Sequence, residues 1–176
     1  MLETLVQIKI LDQELYAAKD AEKRTLVTKE GTYAGFVAPR YATKGAAAVD
    51  LIAADNVFVR PGEVVAIKTG IAISIMNDAV CAMILPRSGL GTKGLVMANT
   101  VGLIDSDYQG ELVIMAMNRL APLDRSGILN TSFEIRRGER IAQMVFIPVH
   151  RALWELVDEF AITTERGEAG FGSTGA

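Results

Sequence analysis

The chain has 176 residues, half of them hydrophobic and 22% charged, which suffices for one domain with its own core and excludes a disordered chain. Its 18 basic and 21 acidic residues give a net charge of −3, leaving no cationic excess with which to displace counterions from nucleic acid. One cysteine and one histidine exclude an internal disulfide and a Cys/His zinc site.

Near the N-terminus Val6, Ile8 and Ile10 alternate with Gln7 and Lys9, the period of a half-buried strand. Residues 12–23 are rich in Ala, Glu, Lys and Leu, with Asp12 as an N-cap and Leu15 and Ala18 on one face. They predict a short helix, or a surface insertion ending near Gly31. Strand-like runs follow at 64–68, 71–76, 80–85, 112–117 and 141–149. Turn signals punctuate them at Arg60-Pro61-Gly62, Thr69-Gly70, Asn77-Asp78 and Arg137-Gly138. Cys81 lies inside an apolar run and is expected in the core. Closely spaced strands with glycine-rich joints predict an all-β sandwich or barrel. The tail, 163–176, is rich in Gly, Ser and Thr and is expected to be mobile. No apolar run approaches the ~20 residues of a membrane helix, and no signal-peptide pattern opens the chain. A cytoplasmic protein without membrane or nucleic-acid partners is expected.

Two glycine motifs mislead. Gly89-Leu90-Gly91-Thr92-Lys93-Gly94 has the spacing of a dinucleotide-binding turn, but a strand-like, glycine-broken stretch follows where that motif needs a long helix. Gly167 to Thr174 has P-loop spacing, but Ser173 stands where the lysine should be and no helix can follow. What survives is a run of backbone N–H groups with hydroxyls and Arg166, suited to clamping a terminal phosphate.

Both motifs fall within a larger pattern of five ordered segments. These are Ala46-Ala-Ala-Val-Asp50-Leu, Pro86-Arg-Ser-Gly-Leu-Gly91, Asn99-Thr-Val-Gly-Leu-Ile-Asp105-Ser-Asp-Tyr108-Gln-Gly-Glu, Arg137-Gly-Glu-Arg-Ile-Ala-Gln143 and Arg166-Gly-Glu-Ala-Gly-Phe171-Gly-Ser-Thr-Gly175. In this order the chain resembles the trimeric dUTPase family from Pro39 to the end. The resemblance implies a jelly-roll-like β-barrel with one or two short helices, and a homotrimer with three active sites shared between subunits. It also implies Mg²⁺-dependent conversion of dUTP to dUMP and pyrophosphate, limiting uracil incorporation into DNA and supplying dUMP for thymidylate synthesis.

The implied roles agree with the chemistry of the residues. Phosphoryl transfer needs positioned cations, a metal and a base for the nucleophile. Asp105, in a tight glycine-bounded loop, would be the base by this resemblance; by spacing alone the turn cap is the stronger reading. Tyr108 would lie against the deoxyribose and leave no room for a 2′-hydroxyl, although without the family it reads as a core or interface tyrosine. Residues 101–111 resemble a uracil-reading hairpin in which backbone groups, Gly102 included, act with the Asn99 amide. Arg87, Ser88, Gly89 and Gln143 match phosphate-contacting positions, with Ser88 donating to the oxygen that bridges the α- and β-phosphates. Asp50 matches the position that contacts Mg²⁺ through water. Phe171 would stack on uracil while Arg166, Gly172, Ser173 and Thr174 close over the γ-phosphate, ordering only with substrate.

The pattern has departures. Ala48 and Ala169 stand where the family has glycine, at a cost of about 1 kcal/mol if either backbone needs φ > 0. Residues 13–37 form an insertion, either a trimer-edge decoration or a partner-binding arm as in some phage members, and 129–133 form a lesser extension. His150 and Trp154 match nothing catalytic and read as structural. The expected organisation is a β domain over 1–162 and a lid over 163–176. A dCTP deaminase of the same fold would need a glutamate base beside the ring instead of the Asp105/Tyr108 arrangement.

Overall fold

The computed structural model describes residues 3–17, 25–28, 31–34, 38–123, 125–129 and 131–169. Two four-stranded antiparallel sheets carry the fold. In the first, β1 (Val6–Ile10) pairs with β6 (Val64–Ile75), which pairs with β10 (Glu111–Asn118) and then β8 (Leu95–Met97). In the second, β4 (Val49–Ile52) pairs with β12 (Arg140–Pro148), then β7 (Val80–Pro86) and β9 (Gly102–Ile104). Two small ribbons complete it: β5 (Val57–Val59) with β11 (Phe133–Ile135), and β2 (Thr25–Thr28) with β3 (Gly31–Ala34). The one helix among the described residues, α1, is the four-residue turn Ser88–Gly91. The all-β, jelly-roll-like expectation holds.

The core is where the inward faces of both sheets meet. Ile67, Ile71, Ile73, Leu112 and Ile114 come from one sheet, and Leu51, Ala82, Ile84, Ala142 and Met144 from the other. Cys81 is buried as a free thiol.

Two local expectations are corrected. Thr69-Gly70 is not a turn: β6 runs through it as a single 12-residue strand. The pairing with β10 shifts here, from Val113 opposite Lys68 to Glu111 opposite Ala72, so the glycine marks a bulge. Gly70 has φ +72, and a Cβ on it would lie 2.7 Å from Asp12 Cβ, so no larger residue fits. The Glu111 carboxylate accepts the Gly70 N–H at 2.9 Å and the Thr69 hydroxyl donates to the Leu112 carbonyl at 2.6 Å, satisfying groups that the bulge takes off the ladder.

The second concerns the helix alternative for 12–23. Asp12 does cap a turn, accepting the Leu15 N–H at 2.9 Å, but among the described residues of this stretch only one turn forms, over 13–16. It stops because Tyr16 is drawn into the core, where its hydroxyl donates to the Thr69 carbonyl at 2.7 Å. Burial raises the Tyr16 pKa well above the usual range for a phenol. Residues 18–24 lie outside the described set, and farther along the insertion is the β2–β3 ribbon rather than a helix.

The turns at Arg60-Pro61-Gly62-Glu63 and Arg136-Arg137-Gly138-Glu139 share one design. Glycine at the third position has φ +78 and +87, and the glutamate accepts the N–H of the first residue at 2.8 and 3.1 Å. In the second turn Arg137 reaches back to Asp12 with two hydrogen bonds, 2.5 and 2.7 Å, and to the Ala54 carbonyl. Those bonds, aided by the Leu15 N–H, lower the Asp12 pKa from 3.8 to about 2. A depressed carboxylate contributes stability that is complete above its unfolded pKa and is lost as pH falls through the folded one. Urea unfolding at stepped pH should therefore show a loss between pH 3.8 and about 2 that Asp12→Asn lacks. Equal acid slopes in the two proteins would remove the pair from the account.

Candidate active site

The ends of β4, β7 and β12 bring four polar side chains together. Gln143 and Asp50 are register partners, and Gln143 also stands opposite Leu85, so it occupies a central strand with neighbours on both sides. Its amide donates to the Pro86 carbonyl at 3.0 Å, which orients the chain where it leaves β7. Arg87 Nε donates to Asp50 Oδ1 at 2.8 Å, and both side chains are about 30% exposed. Directly after Arg87 the chain enters α1, where Arg87 is the N-cap and Ser88 and Gly89 are exposed. The first N–H groups of such a turn have no carbonyl partner inside it. The long helix that a dinucleotide-binding turn needs is absent; α1 ends at Gly91 and β8 follows.

Arg140 joins this group, although its sequence position suggested no role. Its Nη1 donates to Asp50 Oδ2 at 3.3 Å, and its backbone carbonyl accepts from Arg87 Nη1 at 3.4 Å. In a regular strand residues 140 and 143 would face opposite ways. Here Arg140 pairs with Ile52 and Ala142 with Leu51, so two residues of β12 stand opposite one of β4. The bulge leaves Ile141 and Ala142 both buried and turns Arg140 to the same side as Gln143. The only sequence signal for this was the unbroken Ile-Ala pair between two polar residues.

Residues 99–110 form a second group. Their flanking strands do not make a hairpin: β9 pairs with β7 in one sheet and β10 with β6 and β8 in the other, so the segment is a corner between sheets. At its start Val101 N–H bonds to the Asn99 carbonyl at 2.6 Å around Thr100, the one non-glycine residue with positive φ (60°) among the described residues. A β-branched residue in that conformation costs about 1–3 kcal/mol and is kept only where the surroundings demand it. The turn brings the Asn99 amide over Gly102, whose Cβ would meet Asn99 Nδ2 at 3.8 Å and Ile84 Cβ at 3.3 Å. At the far end the Tyr108 N–H closes a turn on the Asp105 carbonyl at 3.2 Å, and the Tyr108 hydroxyl donates to the Glu111 carbonyl at 3.0 Å. A Cβ on Gly110 would collide with that hydroxyl and lie 2.7 Å from ring Cζ, so the ring's position requires glycine. Asp105 is exposed to solvent.

The two groups are not adjacent within one chain. Gly102 pairs with Ile84 and Ile104 with Ala82, so Asp105 leaves β9 near Cys81, whereas Arg87 leaves the opposite end of β7. About six residues at ~3.3 Å each put them roughly 20 Å apart along the strand.

Past β12 the chain becomes irregular, and every residue from 151 to 169 is exposed. Arg166 Nε donates to the Ala169 carbonyl at 2.9 Å, holding a small turn. Neither Ala48 nor Ala169 has positive φ, so the expected cost of alanine there does not arise. Phe171, Gly172, Ser173 and Thr174 lie outside the described residues. Trp154, read from sequence as structural, is 89% exposed.

Whether the site suits Mg²⁺ depends on Asp50. Among the described residues no three His, Cys, Asp or Glu side chains converge. A carboxylate already bonded to two guanidiniums is a poor direct ligand, but it retains lone pairs for metal-bound water. The donor set fits a metal held chiefly by phosphate oxygens.

The dUTPase family model matches residues 34–175. The deoxyuridine 5'-triphosphate nucleotidohydrolase of Tolumonas auensis is 52% identical over 143 residues, covering 80% of this chain and 88% of its own. That of Escherichia coli is 50% identical over 143 residues, with the same shares covered. Among solved structures, the Staphylococcus bacteriophage 80alpha dUTPase with dUPNHPP has a TM-score of 0.73 at 28% identity, covering 98% of this chain and 99% of its own.

Proposed function

The chain belongs to the dUTPase family, and from that premise we propose that it hydrolyses dUTP to dUMP and pyrophosphate at sites shared between the subunits of a homotrimer. The observation that carries the shared site is the separation of Asp105 from Arg87 along β7. A base that activates water at the α-phosphorus and a guanidinium that holds the same triphosphate must lie within a few ångströms of one substrate. One chain keeps them too far apart, so the Asp105 group of one subunit meets the Asp50–Arg87–Gln143 group of another.

Two further features support self-association. The outward side of β10 presents Val113 and Met115, both exposed, although its inward side is already buried as Leu112, Ile114 and Ala116. A strand apolar on both sides is built to be covered on both. The arm over 151–162 carries Leu153, Trp154, Leu156, Phe160 and Ile162, each at least 77% exposed. We take 1–162 as the catalytic unit, with this arm lying on a neighbour, and 163–176 as the lid.

In the reaction, the Asp105 carboxylate accepts a proton from the water that attacks the α-phosphorus. Arg87 and Gln143 hold the phosphates, and the Ser88 hydroxyl donates to the α–β bridging oxygen as charge builds on departing pyrophosphate. The Asn99 amide and the backbone of 101–104 read the uracil edge; thymine's methyl overpacks and cytosine reverses the donor pattern. Tyr108, pinned by Gly110 and the Glu111 carbonyl, excludes a 2′-hydroxyl. Bound Mg²⁺ would neutralise the triphosphate, with Asp50 holding its water shell. Arg166, Phe171, Gly172, Ser173 and Thr174 would close over the substrate and exclude water. The insertion over 13–37 would serve as a trimer-edge decoration or as a partner-binding arm.

Purified protein with Mg²⁺ is expected to release pyrophosphate from dUTP at least about 100-fold faster than from dCTP, dTTP or UTP, the discrimination of a site built on hydrogen bonds. Comparable turnover of all four would sink the reading, and ammonia from dCTP would replace it with deamination.

A further inference from the structure

Asp50, Arg87 and Arg140 form a closed triangle of contacts. Asp50 Oδ1 accepts from Arg87 Nε at 2.8 Å, Asp50 Oδ2 accepts from Arg140 Nη1 at 3.3 Å, and Arg87 Nη1 donates to the Arg140 carbonyl at 3.4 Å. The corners come from β4, β12 and the end of β7, so each residue is held by a different strand. Arg87 and Asp50 are half-buried, but 59% of the Arg140 side chain is exposed. The bulge in β12 that turns Arg140 toward Asp50 breaks the strand's alternation and leaves part of the ladder irregular. An exposed arginine contributes little to stability through one surface contact, so packing does not account for the arrangement.

We propose that Arg140 is a positioning residue for the triphosphate, acting through Asp50; this deepens the reading of the site given above and rests on it. Arg140 holds one oxygen of the Asp50 carboxylate, which keeps the other on Arg87 Nε and so fixes the azimuth of the Arg87 fork. With Nε engaged by Asp50, the remaining Arg87 donors are pre-set for phosphate oxygens, and the side-chain entropy of a long arginine is lost before substrate arrives. Without Arg140, Asp50 can rotate and the Arg87 fork turns with it. The role belongs to the phosphate-binding half of the site, so nucleoside recognition should not depend on it.

The test measures binding of α,β-imido-dUTP with Mg²⁺ and, separately, of deoxyuridine, by calorimetry, alongside dUTP turnover. Arg140→Gln is expected to weaken imido-dUTP binding about tenfold, the scale of one charge-assisted hydrogen bond, and to leave deoxyuridine binding and the thermal midpoint unchanged. Arg140→Lys, which keeps a donor for Asp50 Oδ2, should restore most of the loss. Asp50→Asn with Arg140→Gln should bind imido-dUTP no worse than Asp50→Asn alone, since the two act in series. Additive losses would mean that Arg140 touches phosphate directly and would overturn the proposal. So would a parallel loss of deoxyuridine binding or of thermal midpoint, which marks a structural role, or unchanged imido-dUTP binding in Arg140→Gln. If the unmodified protein releases no pyrophosphate from dUTP, the functional reading itself fails; if it does and only the Arg140 results go wrong, the positioning role alone fails.

Discussion

Asp105→Asn is expected to lower kcat for dUTP by about 10²–10⁴-fold, the usual contribution of a positioned general base, while KM and the affinity for α,β-imido-dUTP stay within a few-fold. The amide preserves the shape of the side chain and removes its capacity to take a proton from water. The loop should survive the change, because its closing bond is made by the Asp105 backbone carbonyl to the Tyr108 N–H at 3.2 Å and not by the carboxylate. Tyr108 is likewise held from outside the Asp105 side chain, by Gly110 and the Glu111 carbonyl. A turn-capping role for the carboxylate predicts the reverse: lowered stability, weaker binding and a modest change in kcat. Steady-state kinetics with a thermal melt separates the two, and near-normal turnover in Asp105→Asn would remove Asp105 from the chemistry.

Placing charge on the arm should have an effect of similar size by a different route. Trp154→Asp with Phe160→Asp is expected to yield a protein whose two-sheet core still unfolds cooperatively, but which sediments as a monomer at micromolar concentration and turns over dUTP at least about 100-fold more slowly. Both side chains are 89% exposed in the single chain, so their loss removes no packing from its own core. Each would contribute roughly 1.5–3 kcal/mol when covered by a neighbour, and a threefold assembly counts that term three times. Activity falls with assembly because Asp105 and Arg87 of one chain are too far apart to share a substrate. A variant that remains trimeric and fully active would show that the arm is not what joins the subunits. One that is monomeric and fully active would refute the shared site.

The candidate site positions were legible in sequence because each belongs to a short motif whose residue types suit a triphosphate and a base. The structure brings Asp50, Arg87 and Gln143 together, and puts Asn99, Gly102 and Tyr108 on one segment. Less legible were features created by pairing. Thr69-Gly70 reads as a turn, since glycine after a β-branched run usually ends a strand. In the fold the partner β10 continues past it and Glu111 caps the freed N–H, which makes a bulge cheaper than a break. The alanine- and glutamate-rich stretch from Asp12 favours helix locally, yet burial of Tyr16 outweighs the few tenths of a kcal/mol per residue that propensity offers.

The loop from Gly102 to Gly110 shows the division most clearly. Sequence alone determined its contents: a carboxylate, a tyrosine and glycines spaced for tight turns, together with the family that uses them. Only the tertiary structure decided that this loop is a corner between two sheets and that Asp105 emerges at the opposite end of β7 from Arg87. The same holds for Arg140, turned toward Asp50 by a bulge that no alternation rule anticipates. Residue identity specifies what a group can donate or accept. Which groups share a substrate depends on strand register, a relation between distant segments that local patterns do not encode.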